Sequence, residues 1–469
     1  MSRLFIDVAS LIQWYGPPVG IARCQERFAL HAREHLPEAV FTVFDPRIDR
    51  PRPIRDEFVD AVLAGRIKLY MGFFPVPGTA RDHTADRVPA ALQPLYWWVT
   101  RFRRKFALAM EQRRLAASTP QARARWASIQ DRVLTPKLRP MFEGAGGSRI
   151  DVPDIDDILL PPVELRPDDV TLALQSDWIH IDVAAVLDQR DAAGSRFVAI
   201  CHDIIPLLFP QWFSDADVLA FRRHFEQVFA RADRVLFTSR RTAEDVVSWC
   251  VENGIACAGH RIVPLGADTF PETVPAALPP PLEAGRFAVF VSTVEPRKNH
   301  AMLVEAWRGL LRDGTVSRTG FKLVFVGRKG WKMGDFFDTI ANDPELAGTV
   351  IHLQGIGDDV LAALYRDAAF CLYPSIYEGY GLPPIEALAR GKALIASTGG
   401  PLPPPVGDFA ICPAPGDTPA REARMRARMT GSDEPARLAA RALRDYRAIT
   451  WEESSRALFD AALSAERRA

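Results

Sequence analysis

Short apolar runs alternate with amphipathic stretches along most of the chain, which is the rhythm of parallel sheets covered by helices. In the C-terminal half, residues 287–292 read as a buried strand, and Asn299 stands where it can cap a helix whose apolar face is Leu303, Ala306, Trp307 and Leu310. Residues 321–326 return as a strand before Gly327; 350–353, 370–373 and 393–397 continue the series, with a helix over 358–368. Towards the N-terminus, 4–8, 40–44, 170–174, 197–201 and 235–238 form a comparable set of strands, with helices expected near 20–35, 214–231 and 240–253. The pattern predicts an α/β chain of two Rossmann-like, doubly wound domains facing a cleft. The stretch 266–285 holds Pro271, Pro275, Pro279, Pro280 and Pro281 with almost no apolar periodicity, so it is the expected linker. The predicted domains are therefore 1–268, a linker over 269–285, 286–440, and a C-terminal helix within 441–469.

The region from about 46 to 168 breaks the rhythm and reads as a helical, basic insertion in the first domain. Between Arg101 and Pro140 there are eleven Lys or Arg against Glu111 and Asp131, and aromatics sit beside the charges in the 96–106 run YWWVTRFRRKF. Residues 96–140 fit a basic amphipathic helix lying on an anionic membrane surface. They fit equally well an inserted hairpin whose arginines form a solvated face and whose aromatics pack on the domain.

Composition narrows the classes. The 469 residues are 48% hydrophobic and 25% charged, with 58 basic side chains against 58 acidic ones. That is globular usage, and a zero net charge removes bulk electrostatics as a reason to bind nucleic acid. No apolar run approaches the ~18 residues needed to span a bilayer, and the start, MSRLFIDVAS, lacks a leader pattern, so the expected location is the cytoplasm or, if the insert binds lipid, the inner membrane face. The six cysteines have no CxxC spacing and read as reduced, apolar residues.

Candidate chemistry concentrates at predicted strand ends. After the strand at 370–373, the run EGYGLPPIEA carries Glu378, turns through Gly379 and Gly381, and restarts as a helix with Pro384 near its first position and Glu386 expected in its first turn. A glycine-led helix start presents amides to an anion or a polyhydroxyl ligand, and paired carboxylates suit paired hydroxyls. Taken alone, Glu386 could merely favour the positive helix end and Glu378 be a surface charge. A second cluster, Glu295-Pro-Arg297-Lys298-Asn299-His300, lies at the end of the strand at 287–292, and Gly327-Arg328-Lys329-Gly330-Trp331 follows the strand at 321–326. Three strand ends thus carry anion chemistry, where open α/β sheets bind ligands.

Together, EGYGLPPIEA, EPRKNH and VGRKGW resemble the donor-nucleotide site of the family 4 retaining glycosyltransferases, which have the GT-B architecture. The resemblance extends to His202-Asp203-Ile-Ile-Pro206, to Thr238-Ser-Arg-Arg-Thr-Ala243, to Val263-Pro-Leu-Gly-Ala-Asp268 and to Gly20-Ile-Ala-Arg23, and covers roughly two-thirds of the chain, excluding 46–168. It implies that Arg297 and Lys298 hold a diphosphate, that Glu386 takes the ribose hydroxyls, and that Glu378 contacts the transferred sugar. Amides of Gly379, Tyr380, Gly381 and Leu382 would touch sugar and phosphate. His202 would lie at the reacting carbon, and Gly20 and Arg23 would bring the acceptor side to the phosphate. In this family the last helix commonly crosses back onto the first domain.

The resemblance further implies a hexose donor, a glycan or lipid-linked acceptor, no cofactor and no metal. Mannose is preferred only through the likeness to mannosyl- and rhamnosyltransferases of bacterial surface-polysaccharide assembly. The chain departs from the family at 400–406, where GPLPPPV puts proline in place of the usual acid. Two other readings stand beside this one: a non-catalytic sugar-nucleotide-binding scaffold, and a sugar-nucleotide epimerase of the same shape. Asp215-Ala-Asp217 matches a metal-binding D-x-D, but Ser214 and Asp215 look like helix caps. The other histidines, including His180, His224, His260, His300 and His352, lack ligand spacing.

Overall fold

The computed structural model describes residues 2–14, 18–45, 48, 50–69, 92–134, 142, 149–174, 178, 181–268, 270, 276–398, 406–431 and 433–468. The 400–405 departure, Pro271 and Pro275 of the expected linker, and His180 lie outside these residues, as do the side chains of Tyr96, Trp97 and Trp98. Two compact units emerge. The first comprises 1–200, 231–234 and 465–469, and the second 201–230 and 235–464.

In the first unit, β1 (Leu4–Asp7), β2 (Ala39–Asp45), β3 (Arg50–Pro53), β4 (Val170–Ala173) and β5 (Arg196–Cys201) run in the order β3-β2-β1-β4-β5. All pairings are parallel except β2 with β3. Helix α1 (Ile21–His35) buries Ala22, Phe28, Ala29 and Ala32, the apolar stripe that its 3.6-residue period predicts. β3 has no apolar alternation, and sequence reasoning passed over it. It is held instead by Arg52, whose guanidinium pairs with Asp45 at 3.1 Å and Asp156 at 2.6 Å and donates to the carbonyls of Leu159 and Leu160.

The insertion contains a helical hairpin, α2 (Gln93–Leu115) and α3 (Pro120–Val133). Thr119 caps α3 by accepting from the Ala122 amide, with Pro120 at the first helical position. Ala107, Leu134, Phe142, Ile150 and Val152 form a small core. Glu111, fully buried, lies at its edge between Arg114 at 2.6 Å and Arg149 at 3.1 Å. α4 (Val183–Ala193) is capped by Asp182 and ends at Gly194 in the left-handed region.

In the second unit, β6 (Arg234–Phe237) pairs in parallel with β7 (His260–Ile262), flanked by α5 (Asp215–Arg231) and α6 (Arg240–Glu252). Ser214 accepts from the Asp217 amide, so both carboxylates of the Asp215-Ala-Asp217 run occupy the first turn of a helix. A six-stranded sheet follows: β8 (Phe287–Val291), β9 (Lys322–Val326), β10 (Val350–Leu353), β11 (Phe370–Tyr373), β12 (Leu394–Ala396) and β13 (Ala410–Ile411), in the order β10-β9-β8-β11-β12-β13. Its pairings are all parallel, and β8, β9, β11 and β12 are almost wholly buried, as a sheet covered on both faces requires. α7 (His300–Arg312), α8 (Asp358–Asp367), α9 (Leu382–Ala389), α10 (Thr418–Met429), α11 (Asp433–Asp445) and α12 (Trp451–Leu463) complete it.

Asn299 precedes α7 as expected but does not cap it. It adopts φ 62°, and its amide donates to the carbonyl of Pro415 at 2.9 Å, so it ties two loops together. The strands and helices read from the pattern are present, and the sheet orders are those of Rossmann-like domains. The grouping into units differs from the expected boundary near residue 268. Residues 201–230 and 235–268 belong with the six-stranded sheet because Trp331, Lys332, Tyr380 and the Gly379 carbonyl hydrogen-bond to them. Residues 465–469 group with the first unit, where Ala465 accepts from Arg196 and the Arg468 amide donates to Asp233. Among the described residues, no helix is long and apolar enough to cross a membrane.

The start of α12 is fastened to the 263–268 run. The Trp451 amide donates to Asp268 at 2.6 Å, the Ala267 amide donates to Ile449, and a Cβ on Gly266 would lie 2.5 Å from the Trp451 nitrogen. Gly266→Ala is therefore expected to destabilise the chain by about 1–3 kcal/mol, the range for overpacking against backbone. Urea unfolding checks this, and an unchanged midpoint would contradict the close approach.

Candidate active site

β9, β8 and β11 are neighbours in the sheet, so the loops that leave their carboxyl ends adjoin. Backbone hydrogen bonds stitch them together. The Val294 amide donates to Arg328, the Gly330 amide to Val294, and the Ile376 amide to Arg297. Gly327, at φ 151°, allows the approach, since a Cβ there would overlap the Ser292 carbonyl.

Into this junction the β8 loop and the β11 loop each send charge. Arg297 Nη1 donates to Glu378 Oε2 at 2.7 Å and Nη2 pairs with Glu295 Oε1 at 2.8 Å, while Lys298 Nζ donates to Glu378 Oε1 at 2.6 Å. Both oxygens of Glu378 are thus taken, one by each cation. Glu295, Lys298 and Glu378 are 2%, 9% and 6% exposed, so these charges depend on one another. Burial raises the Glu378 carboxyl, but the Arg297 guanidinium and Lys298 ammonium outweigh it and bring it down to about 2. Burial pushes the Glu295 and Asp203 carboxyls up, and burial followed by repulsion from Arg297 pulls Lys298 down.

The β9 loop contributes less than the sequence implied. Arg328 is half-buried, and burial lowers it against the attraction of Glu295. Lys329 instead lies over the Phe337 ring at 4.4 Å. Trp331 Nε1 donates to the Trp212 carbonyl and Lys332 Nζ to those of Gln211 and Phe213, so the end of VGRKGW is a tether.

The loop 201–204 meets the acidic loop directly. A Cβ on Gly379 would overlap the His202 carbonyl and approach the Asp203 Cβ, so only glycine fits there. Ser239 caps α6 by accepting from the Thr242 amide, and its hydroxyl lies 2.7 Å from the Gly379 carbonyl. Thr242 Oγ1 lies 3.2 Å from that carbonyl and 3.3 Å from the His202 carbonyl, which also accepts from Thr238. The Thr238-Ser-Arg-Arg-Thr242 run is thus a clasp between two functional loops. A serine just ahead of a helix is an N-cap signal visible in the sequence, but what the cap holds is not.

Glu378, Arg297, Lys298 and Gly379 are brought together, with the His202–Asp203 backbone beside them. Glu386 has a different partner. It is the fifth residue of α9, one turn deeper than expected, buried, and accepts from the Tyr365 hydroxyl at 3.2 Å. Gly381 precedes α9 at φ 93° and Leu382 opens it. Pro383 and Pro384 remove two of the four N–H groups a helix leaves without intrahelical partners, which concentrates donors at Gly381 and Leu382. Tyr380 turns its hydroxyl to the Leu265 carbonyl at 3.0 Å. Gly20 and Arg23 lie in the other unit, where Gly20 takes φ 55° before α1 and Arg23 is buried in its first turn. Sequence reasoning gave no role to Glu295 or to Asp203, whose Oδ1 accepts from the Ile205 amide.

Residues 280–444, which contain β8, β9, β11 and every charged group of the cluster except Asp203, match the sequence model of the family described as "Glycosyl transferases group 1". This stretch, about a third of the chain, is thus similar to the glycosyl transferases group 1 family. The chain is 31% identical over 253 residues to the serotype-specific mannosyltransferase WbdA of Escherichia coli, spanning 50% of this chain and 30% of that protein. It is 26% identical over 264 residues to the O-antigen chain mannosyltransferase B of Escherichia coli, spanning 55% of this chain and 67% of that one. The chain therefore covers about 30% of the length of the WbdA proteins it matches. The whole fold is similar to that of Anabaena HepE, crystallised in complex with UDP, with a TM-score of 0.52, 13% identity, and 98% and 99% of the two chains covered.

The ion cluster has a pH signature. With its carboxyl lower in the folded chain than the ordinary 4.5, Glu378 contributes stability that is complete above that value and lost as pH falls towards about 2. In urea unfolding, the stability gap between wild type and Glu378→Gln should shrink from about pH 5 to about pH 3. A gap independent of pH would show that the carboxylate is not paired.

Proposed function

We propose that this chain is a retaining, metal-independent glycosyltransferase that moves a hexose, mannose by preference, from a nucleoside diphosphate sugar to a hydroxyl of a glycan or lipid-linked acceptor in surface-polysaccharide assembly. The observation that carries the reading is the meeting of Arg297, Lys298 and Glu378 at adjoining strand ends of the stretch similar to the group 1 family. The mannosyltransferase names of its relatives support the sugar and the pathway class.

In this reaction the bond between the anomeric carbon and the diphosphate oxygen breaks, and the acceptor oxygen takes its place on the same face. Charge develops on the leaving diphosphate. Arg297 and Lys298, buried and held in place before reaction, neutralise it, and the Gly381 and Leu382 amides add donors at the start of α9. The diphosphate takes the acceptor proton, so neither a metal nor a protein base is needed. His202 lies beside the sugar, Glu378 accepts from its hydroxyls, and Glu386 accepts from the ribose. Gly20 and Arg23 serve the acceptor side.

Incubation with a panel of nucleoside diphosphate sugars and a glycan acceptor should release nucleoside diphosphate with one donor, with an unchanged rate in EDTA. Glu386→Ala should slow this by about 10- to 100-fold, the range for a hydrogen bond to a charged group. Strict dependence on a divalent ion would overturn the roles given to Arg297 and Lys298.

The insertion is also read as a membrane-contacting surface. On α2, Phe102 and Phe106 stack on each other at 6.5 Å and are 57% and 38% exposed, with Arg103 and Lys105 exposed beside them. Exposed aromatic and basic side chains together suit an anionic lipid surface. The protein should sediment with vesicles containing phosphatidylglycerol and not with neutral ones, and the double substitution Phe102→Ser with Phe106→Ser should release it. Indifference to lipid charge would remove this reading.

A further inference from the structure

The cations that would grip a diphosphate are already engaged. Glu378 gives one carboxylate oxygen to Arg297 and the other to Lys298, at 2.7 and 2.6 Å, which is how a diphosphate would also address a guanidinium and a neighbouring ammonium. Glu378 therefore cannot keep both contacts and at the same time accept freely from a sugar hydroxyl. Arg297 has a second anchor. Glu295, two residues earlier in the same turn, holds Nη2 at 2.8 Å, and its backbone carbonyl accepts from the Lys298 amide. Glu295 is 2% exposed, and among the described residues its Oε2 has no hydrogen-bond partner, so its side chain's hold on the site runs through Arg297.

We propose that the diphosphate and Glu378 are alternative partners of Arg297 and Lys298, with Glu295 the positioning residue that keeps Arg297 in place through the exchange. On binding, the diphosphate takes over the two cations and Glu378 is released towards the transferred sugar, so that the sugar contact forms only when the leaving group is seated. No covalent bond changes in this step. Ion pairs are exchanged, and the Glu295 to Arg297 pair persists. The inference rests on the glycosyltransferase reading, because it takes a nucleoside diphosphate as the incoming anion.

The two carboxylates then have opposite effects on anion affinity, which a shared structural role would not produce. Calorimetric titration of the full-length protein with uridine and guanosine diphosphates and with inorganic pyrophosphate tests this. Glu378→Gln should bind the preferred diphosphate about ten-fold tighter than wild type, since a competing anion is gone, yet turn over its sugar nucleotide more slowly, so that KM falls together with kcat. Glu295→Ala should bind about ten-fold more weakly, while Glu295→Gln, whose amide oxygen still accepts from Arg297, should stay within about three-fold of wild type. Wild-type protein that binds none of these anions overturns the glycosyltransferase reading itself. Wild-type binding with Glu378→Gln equal or weaker overturns the exchange alone. Equal affinities for Glu295→Ala and wild type, or a Glu295→Gln loss as large as that of Glu295→Ala, remove Glu295 as the anchor.

Discussion

Two cations and two carboxylates withdrawn from water hold one another in the second unit, and the candidate site is organised around that exchange of charge. A buried ion pair brings little net stability, because desolvation offsets most of the attraction, but breaking it leaves an uncompensated charge. Such a cluster is therefore better at fixing geometry than at supporting the fold. Arg297 and Lys298 are held within a few tenths of an ångström of hydrogen-bonding ideals by partners on two different loops. Preorganised charge of this kind is what stabilises a departing anion without rearrangement at the moment of reaction.

That precision needs loops that do not drift, and backbone contacts supply it. Gly327 and Gly379 are required because neighbouring chain passes too close for a side chain. The hydroxyls of Ser239 and Thr242 then grip the carbonyl of Gly379 from the start of α6. A helix cap is ordinarily a local device. Here the capping hydroxyl also reaches a loop 140 residues further along the chain, so the stability of α6 and the placement of Glu378 are linked.

Much of this was legible beforehand. Strands such as Phe287–Val291 and Lys322–Val326 are continuous apolar runs, and buried parallel strands have no other way to be written. Glu378 and the Arg297–Lys298 pair follow neighbouring strands of one sheet, whose topology makes their loops meet, and His202 likewise follows a strand. What remained hidden depends on distance through space. β3 has the sequence RPRP and no apolar pattern, because Arg52 secures it through ion pairs to Asp45 and Asp156. Lys329, one of the basic residues grouped at a strand end in the sequence, lies over the Phe337 ring, a contact that sequence spacing does not reveal. Glu295 looked like one more acid in a charged turn, and only its burial against Arg297 distinguishes it.

The basic insertion follows the same logic in reverse. Its excess of arginine suggested a surface of uniform sign, but Glu111 lies fully buried at the hairpin's edge and draws Arg114 and Arg149 inward. Those two arginines are consumed by folding. Arg103, Lys105, Arg113, Arg123, Arg125 and Arg132 stay exposed, with Asp131 and few other acids near them in sequence. Among the described residues the hairpin's core is Ala107, Leu134, Phe142, Ile150 and Val152, with Leu108 packed against it, and the exposed rings of Phe102 and Phe106 do not belong to it. Exposed rings beside exposed basic side chains, with Glu111 drawn out of water, are the arrangement on which the proposed contact with an anionic lipid surface rests.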